Sequence, residues 1–236
     1  MNFIKFNGEY SYDKGVLISG EGAFDGAERD ETTLAIPGRN GTLSFWNGRW
    51  NNVAARYPAL IMGDLASTAP AVRAWLLGRP GFQRLEDSYN TGEYRMARYA
   101  GGLEITPGFL NGNGEITLLF DCWPQWFLTS GETEETIAAS GDVVTNPTNF
   151  DALPLIKIDG SGTITASVGG YSLEIDNLSG EITIDCDTEN AYGNGINLNG
   201  SLTLSNGFPR LGPGNNTIAW SGTVTTFKIT PRWWQL

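Results

Sequence analysis

The sequence predicts a mainly β protein: a first region in which strands surround one α-helix, then a second region that is an almost pure β-sandwich or jelly roll. Three observations carry this expectation. Glycine occurs 31 times in 236 residues, nearly twice the usual ~7%. Charged residues, at 17%, fall below the usual ~25%. Apolar and polar residues alternate in short runs punctuated by Gly and Asn. Many tight turns between short strands satisfy all three. With 40% hydrophobic and 11% aromatic residues, the chain can build a core, which argues against disorder.

The second region shows the clearest alternation. Ile164, Ala166 and Val168 alternate with Thr163, Thr165 and Ser167; Gly169-Gly170 then turns the chain, and Tyr171, Leu173 and Ile175 alternate again. Two period-two runs around a Gly-Gly pair read as a hairpin. Further runs follow at Ile182/Ile184, Leu202/Leu204 and Ile218/Trp220. Between Val224 and Ile229 the phase shifts at Phe227, which predicts a bulge. About seven short strands spaced by roughly ten residues, with no helix between them, predict a sandwich or jelly roll.

The first region contains a single segment that reads as a helix. Ser67 or Thr68 is the expected N-cap, Pro70 falls in the first turn, Val72, Trp75 and Leu76 share a face, and Gly78 and Pro80 end it. Strand-like runs lie at Thr42–Trp46, Tyr94–Tyr99 and Glu115–Phe120. Turns are expected at Asn40-Gly41, Asn90-Thr91-Gly92 and Asn111-Gly112-Asn113-Gly114. The small, acidic stretch Gly131–Asn149 is the best candidate linker, placing one domain at 1–135 and a second at 136–236. Residues 1–138 hold 11 basic and 17 acidic side chains, against 4 and 9 in 139–236.

What is missing narrows the chemistry. Without histidine there is no Ser–His–Asp or Cys–His machinery and no His-ligated zinc. Cys122 and Cys186 are far apart and outside any C-x-x-C, so two buried free thiols are expected. MNFIKF turns polar within seven residues, and no apolar run approaches the ~18 needed for a membrane span, so a soluble protein without a signal peptide is expected. A net charge of −11 argues against a grip on nucleic acid.

Remaining motifs point to surface rather than catalysis. Asp185, Asp187 and Glu189 have the spacing of an EF-hand start, but Asn190 stands where Gly is needed and Ile196 where Glu is needed. A solvated turn explains them better than calcium. Glu86-Asp87 and Glu134-Glu135 read as surface charge, and a glycosidase is placed below a non-enzyme. Trp123 and Trp126 sit in LLFDCWPQWFL, where packing is the simpler role than a sugar platform. Trp233 and Trp234 are adjacent, so in a strand at least one faces solvent or a partner. The four Asn-x-Ser/Thr sites (Asn40, Asn177, Asn199, Asn216) are expected by chance.

Several segments together resemble a known family. IPGRNGTL (Ile36–Leu43), the helix, VRAWLLGRPGFQRLEDSYNTGEYRMARY (Val72–Tyr99) and FDCWPQWFL (Phe120–Leu128) are similar to the N-terminal half of siphophage distal tail proteins. IDCDTENAYGNGINLNG (Ile184–Gly200), FPRLGPGNNTIAWSG (Phe208–Gly222) and ITPRWWQL resemble the C-terminal domain of that family. The resemblance implies a ring-forming N-terminal β-sandwich-like domain with one helix and a galectin-like C-terminal β-sandwich on the ring's periphery. It also implies a structural, non-enzymatic protein of the virion tail tip, made in the host bacterial cytoplasm. The expected assembly is a hexameric ring that joins the tail tube protein to a tail-associated fibre or lysin protein and to receptor-binding proteins. DNA would pass through the ring without being bound, and no cofactor, metal or membrane would be involved. True galectin sites use a histidine, so galactoside binding does not follow. The alternative is a module that recognises cell-wall polysaccharide.

Within those motifs, Gly38, Gly41 and Asn40 would supply the positive φ angles of a hairpin, beside Pro37, and Arg39 offers a bidentate donor to a neighbour. Pro209, Pro213, Gly214 and Asn215 would shape a rigid loop into the next strand, and Trp233 and Trp234 are candidate contacts. For all of these, ordinary turn chemistry explains the residues as well as an interface does.

Overall fold

The computed structural model describes residues 1–20, 22–108 and 112–236. The chain is mainly β, with one α-helix. It divides into two units, Met1–Trp126 (with Leu236) and Phe127–Gln235.

The first unit contains β1 (Ile4–Phe6), β2 (Glu9–Tyr10), β3 (Val16–Ile18), β4 (Arg29–Ala35), β5 (Thr42–Trp50), β6 (Val53–Met62), α1 (Leu65–Leu77), β7 (Gln83–Asp87), β8 (Glu93–Tyr99), β9 (Thr106–Pro107) and β10 (Asn113–Cys122). An antiparallel sheet runs in the order β2-β1-β7-β8-β10-β6-β3, with β9 on β10. Alternation along β6 buries Val53, Ala55, Tyr57, Ala59 and Ile61, and along β10 Ile116, Leu118, Phe120 and Cys122. The helix closes this face as expected: Val72, Trp75 and Leu76 are buried, and Trp75 Nε1 donates to the Phe6 carbonyl at 3.2 Å.

The helix start is corrected by a turn. Asp64 is the N-cap, its carboxylate accepting from Ala66 N at 3.3 Å, while Ser67 Oγ donates to the Asp64 carbonyl. Pro70 therefore lies inside the helix, where its missing N–H deletes the bond to the Ala66 carbonyl. A carboxylate one turn upstream outcompetes the hydroxyls as cap. The expected turn at Asn111–Gly114 is also revised: Asn113 and Gly114 already belong to β10, and Asn111 lies outside the described residues.

The second unit follows β11 (Trp126–Leu128) with β12 (Glu135–Thr136), β13 (Asp142–Asn146), β14 (Leu155–Val168), β15 (Tyr171–Asp185), β16 (Asn190–Gly193), β17 (Ile196–Asn197), β18 (Leu202–Leu204), β19 (Gly214–Thr230) and β20 (Trp234–Gln235). Its sheet order is β12-β19-β14-β15-β16-β17, with β13 on β19 and β18 on β15. The Gly169-Gly170 hairpin forms with φ of +58° and +88°, pairing Val168 with Tyr171. Instead of many short strands, the runs fuse into three of 14, 15 and 17 residues. Each buries its two ends and exposes much of its middle, where Gly162, Gly180 and Gly222 sit exposed beside the buried Gly160. Register shifts lie at the same level, opposite Thr225 and between Ser161 and Thr165. The sheet thus bends over itself, and its halves share one core containing Ile156, Ile164, Ile175, Ile184, Ile218 and Phe227. Glycines bend these strands rather than ending them.

The linker expectation is overturned. Gly131–Asn149 carries β12 and β13, both paired with β19, and buries Ile137, Val144, Asn146 and Thr148 in the second unit. Low aromatic content misled the reading, because short edge strands need few large side chains. Cys122 and Cys186 are free and buried, as expected.

Candidate assembly surfaces

The most unusual feature is the β4–β5 hairpin, a two-stranded sheet paired with no other strand among the described residues. Ile36–Gly41 forms its tip, with Gly38 at φ +77° and Gly41 at +83°; Pro37, Gly38, Arg39, Asn40 and Gly41 are all exposed there. Gly has no Cβ to clash at such angles, which is why this loop needs it. Register pairs Leu34 with Leu43, Thr32 with Phe45 and Glu31 with Trp46. On one face the Arg29 guanidinium lies 5.3 Å from the Trp50 ring and 6.0 Å from Trp46. The opposite face presents Leu34, Leu43 and Phe45 beside Asn47, which donates to Asp30 at 3.0 Å. Leu34 and Phe45 are 55% exposed and Trp46 is 56% exposed. A lone two-stranded hairpin is marginal in water, and large apolar groups on both faces mark a contact surface.

The strap before the hairpin is pinned to the unit's core. Arg95, 1% exposed, donates from Nη2 to the Asp25 carbonyl at 3.0 Å and stacks on Trp126 at 3.8 Å. The Tyr89 ring packs on Phe24 and its hydroxyl donates to the Gly20 carbonyl at 2.9 Å. Gly22 lies under that ring, where a Cβ would come within 2.5 Å. Asp87 accepts from Tyr57 Oη at 2.7 Å and from the backbone of Tyr89 and Asn90. Burial, followed by the nearby Asp87 carboxylate, drives the Tyr57 phenol far above its ordinary value. The outer side of β6 and β10 forms an open groove of about 940 Å³ lined by Arg56, Pro58, Leu60, Glu104, Glu115 and Leu119.

In the second unit the acidic turn serves structure. Asp185 accepts from Arg232 Nη1 at 2.6 Å and Nη2 at 3.3 Å, and from the backbone of Asp187 and Thr188. Pro209 is buried; Pro213, Gly214 and Asn215 are exposed, with Asn215 accepting from Thr145 Oγ1 at 3.0 Å. Trp233 is buried, while half-buried Trp234 stacks on Phe150 at 4.5 Å and donates to the Asp151 carbonyl. Trp126 is buried, but Trp123 is 38% exposed and rests on Phe82. The tip residues belong to the first unit, and the 209–215 loop and the tryptophan pair to the second. Leu34, Phe45, Trp46 and Arg29 were missed by the sequence reading; the spacing of Trp46 and Trp50 around Asn47-Gly48 is the signal that could have flagged them.

Residues 141–233 match the family model described as the siphovirus-type tail component, C-terminal domain. The Dit protein of phage SPP1, described as a paradigm of the hub adsorption apparatus in phages infecting Gram-positive bacteria, is 15% identical over 100% of both chains, with a TM-score of 0.78. A chain of the phage p2 baseplate in its activated conformation with Ca is 12% identical over 97% of both chains, with a TM-score of 0.49. No curated protein matches the chain by sequence. The second unit is thus similar, over residues 141–233, to the C-terminal domain of siphovirus-type tail components. The chain as a whole has the Dit fold.

Proposed function

We propose that this chain is a structural distal tail protein that self-associates into a closed hexameric ring through its first unit. On this reading the first unit (Met1–Trp126) is the ring domain and the second (Phe127–Gln235) a peripheral domain. The ring joins the tail tube to a fibre or lysin protein and to receptor-binding proteins at the virion tail tip, after synthesis in the host cytoplasm. DNA passes through it, and the protein performs no catalysis. The observation that carries this reading is the β4–β5 hairpin with Leu34, Phe45 and Trp46 exposed on its two faces. A heterologous contact between copies, repeated around an axis, closes into a ring when the rotation permits. Such a hairpin provides one half of that contact.

Light scattering on the purified protein tests the proposal. The expected mass is that of six chains of 25.6 kDa. Changing Phe45→Ser and Trp46→Ser together is expected to give single chains with unchanged β-sheet circular dichroism. A wild-type monomer at high concentration, or a ring that survives the double change, would refute the assignment of the hairpin.

A further inference from the structure

We propose that the second unit carries a binding site for one neutral or amine-bearing hexose unit, in the recess between the bend of β15 and the β16–β17 turn. The recess is about 190 Å³ and is lined by Asp176, Asn177, Ser179, Glu181, Asn194 and Ser201 above the apolar side chains of Leu178 and Leu198. That is smaller than drug-sized sites, which run ~300–1,000 Å³, and suits a single sugar ring.

The polar groups are free to recognise a ligand. Among the described residues, no hydrogen bond engages the side chains of Asp176, Asn177, Ser179, Asn194 or Ser201. Carboxylates, amides and hydroxyls side by side offer both donors and acceptors, which adjacent sugar hydroxyls can each satisfy. The apolar floor, extended by Ile196 at 63% exposure, takes the C–H face of the ring. Two asparagines here sit in the left-handed region, Asn177 at φ +51° and Asn194 at φ +49°. Asparagine is among the few residues other than glycine that adopt these angles readily, and the two turns present both amides at the recess.

Charge sets the ligand class. Asp176 and Glu181 bring two carboxylates to the recess and no cation lines it. Asp159 stands directly across the strand pair from Glu181, adding a third acid at that level. Lys157, the cation that acts on Glu181, is itself held by Glu134. A phosphorylated sugar is repelled, while a neutral hexose is accepted and an ammonium-bearing one attracted. The inference does not depend on whether the ring forms.

Saturation-transfer NMR on the full chain, with methyl glucoside, glucosamine and glucose 6-phosphate as probes, decides it. Transfer to the first two is expected, with glucose 6-phosphate bound about tenfold or more weakly. Changing Asn177→Gly and Asn194→Gly together should abolish transfer while the melting temperature holds, because glycine accepts both backbone angles. Changing Asp176→Asn and Glu181→Gln should instead admit glucose 6-phosphate, a gain that no unfolded variant can give. Absence of transfer to the neutral and amino sugars, or transfer that persists in the double glycine variant, would overturn the proposal. Equal binding of the phosphorylated probe by the wild type would overturn the charge argument.

Discussion

A few buried groups set the chemistry at the residue scale. Partial burial pushes the Asp185 carboxyl up, but hydrogen bonds and charge from Arg232, with the amides of Asp187 and Thr188, outweigh it and hold the group below its ordinary value. A carboxyl depressed in the folded state stabilises the fold above the unfolded value of ~3.9, and that contribution is lost as pH falls through the lower, folded value. Urea midpoints measured from pH 6 to pH 2 should therefore fall more steeply for the wild type than for Asp185→Asn, converging at the acid end. The two thiols behave oppositely. Burial pushes Cys122 up to about 11 and Cys186 to about 12, so both stay protonated and shielded at neutral pH. Native protein at pH 8 should not react with a thiol reagent over minutes, and should release two thiols per chain when unfolded in urea. The cysteines were legible in the sequence as buried and unpaired. The Asp185–Arg232 pair was not, because 47 residues separate its partners and no local pattern encodes the contact.

The turns and hairpins are the elements that make the difference between one strand and two. Gly169 sits at φ +58°, and a Cβ there would meet the Arg210 carbonyl at 2.4 Å, while Gly170 at φ +88° has nothing within 4 Å. Gly169→Ala is expected to destabilise the second unit by about 1–3 kcal/mol from backbone strain, plus the steric clash. Gly170→Ala should cost less, and equilibrium denaturation of the two variants measures the difference. Gly-Gly between alternating runs was readable because a two-residue turn is a local event. The fusion of Ile182/Ile184 with Leu173/Ile175 into one strand was not. A glycine in mid-strand reads as a break unless the cross-strand partner continues past it, as β14 does past Gly180.

The charge of the whole molecule bears on what its assembly can touch. The first unit holds 14 acidic and 11 basic residues and the second 12 and 4, so the second is the more acidic. In the proposed ring, −11 per chain would make a strongly acidic particle. Lysines or arginines along a DNA conduit would gain counterion-release energy and hold the DNA. Carboxylates there would repel it over a screening length of about 8 Å at physiological salt. We expect the channel wall to carry more Asp and Glu than Lys and Arg, and the purified protein to show no gel shift with duplex DNA at physiological salt. Tight, salt-sensitive binding would contradict both the acidic wall and the conduit.

The sequence by itself determined the alternation of the strands, the apolar face of the helix, the Gly-Gly turn, the absence of histidine chemistry and the predominance of β structure. Each depends on residues within a few positions of one another, where period, turn geometry and composition act directly. Only the tertiary structure decided that, among the described residues, the β4–β5 hairpin pairs with no other strand and exposes Leu34, Phe45 and Trp46 on its two faces. Its sequence reads as any half-buried strand, and exposure depends on what packs against it from elsewhere. The same holds for the stretch 131–149, whose small residues read as a linker until β19, some eighty residues on, supplied the partner for its two strands. The recess at Asn177 and Asn194 likewise exists only because β15 and the β16–β17 turn meet. Long-range pairing sums contributions that no single segment carries, so the folded chain alone fixes where its surfaces and cavities lie.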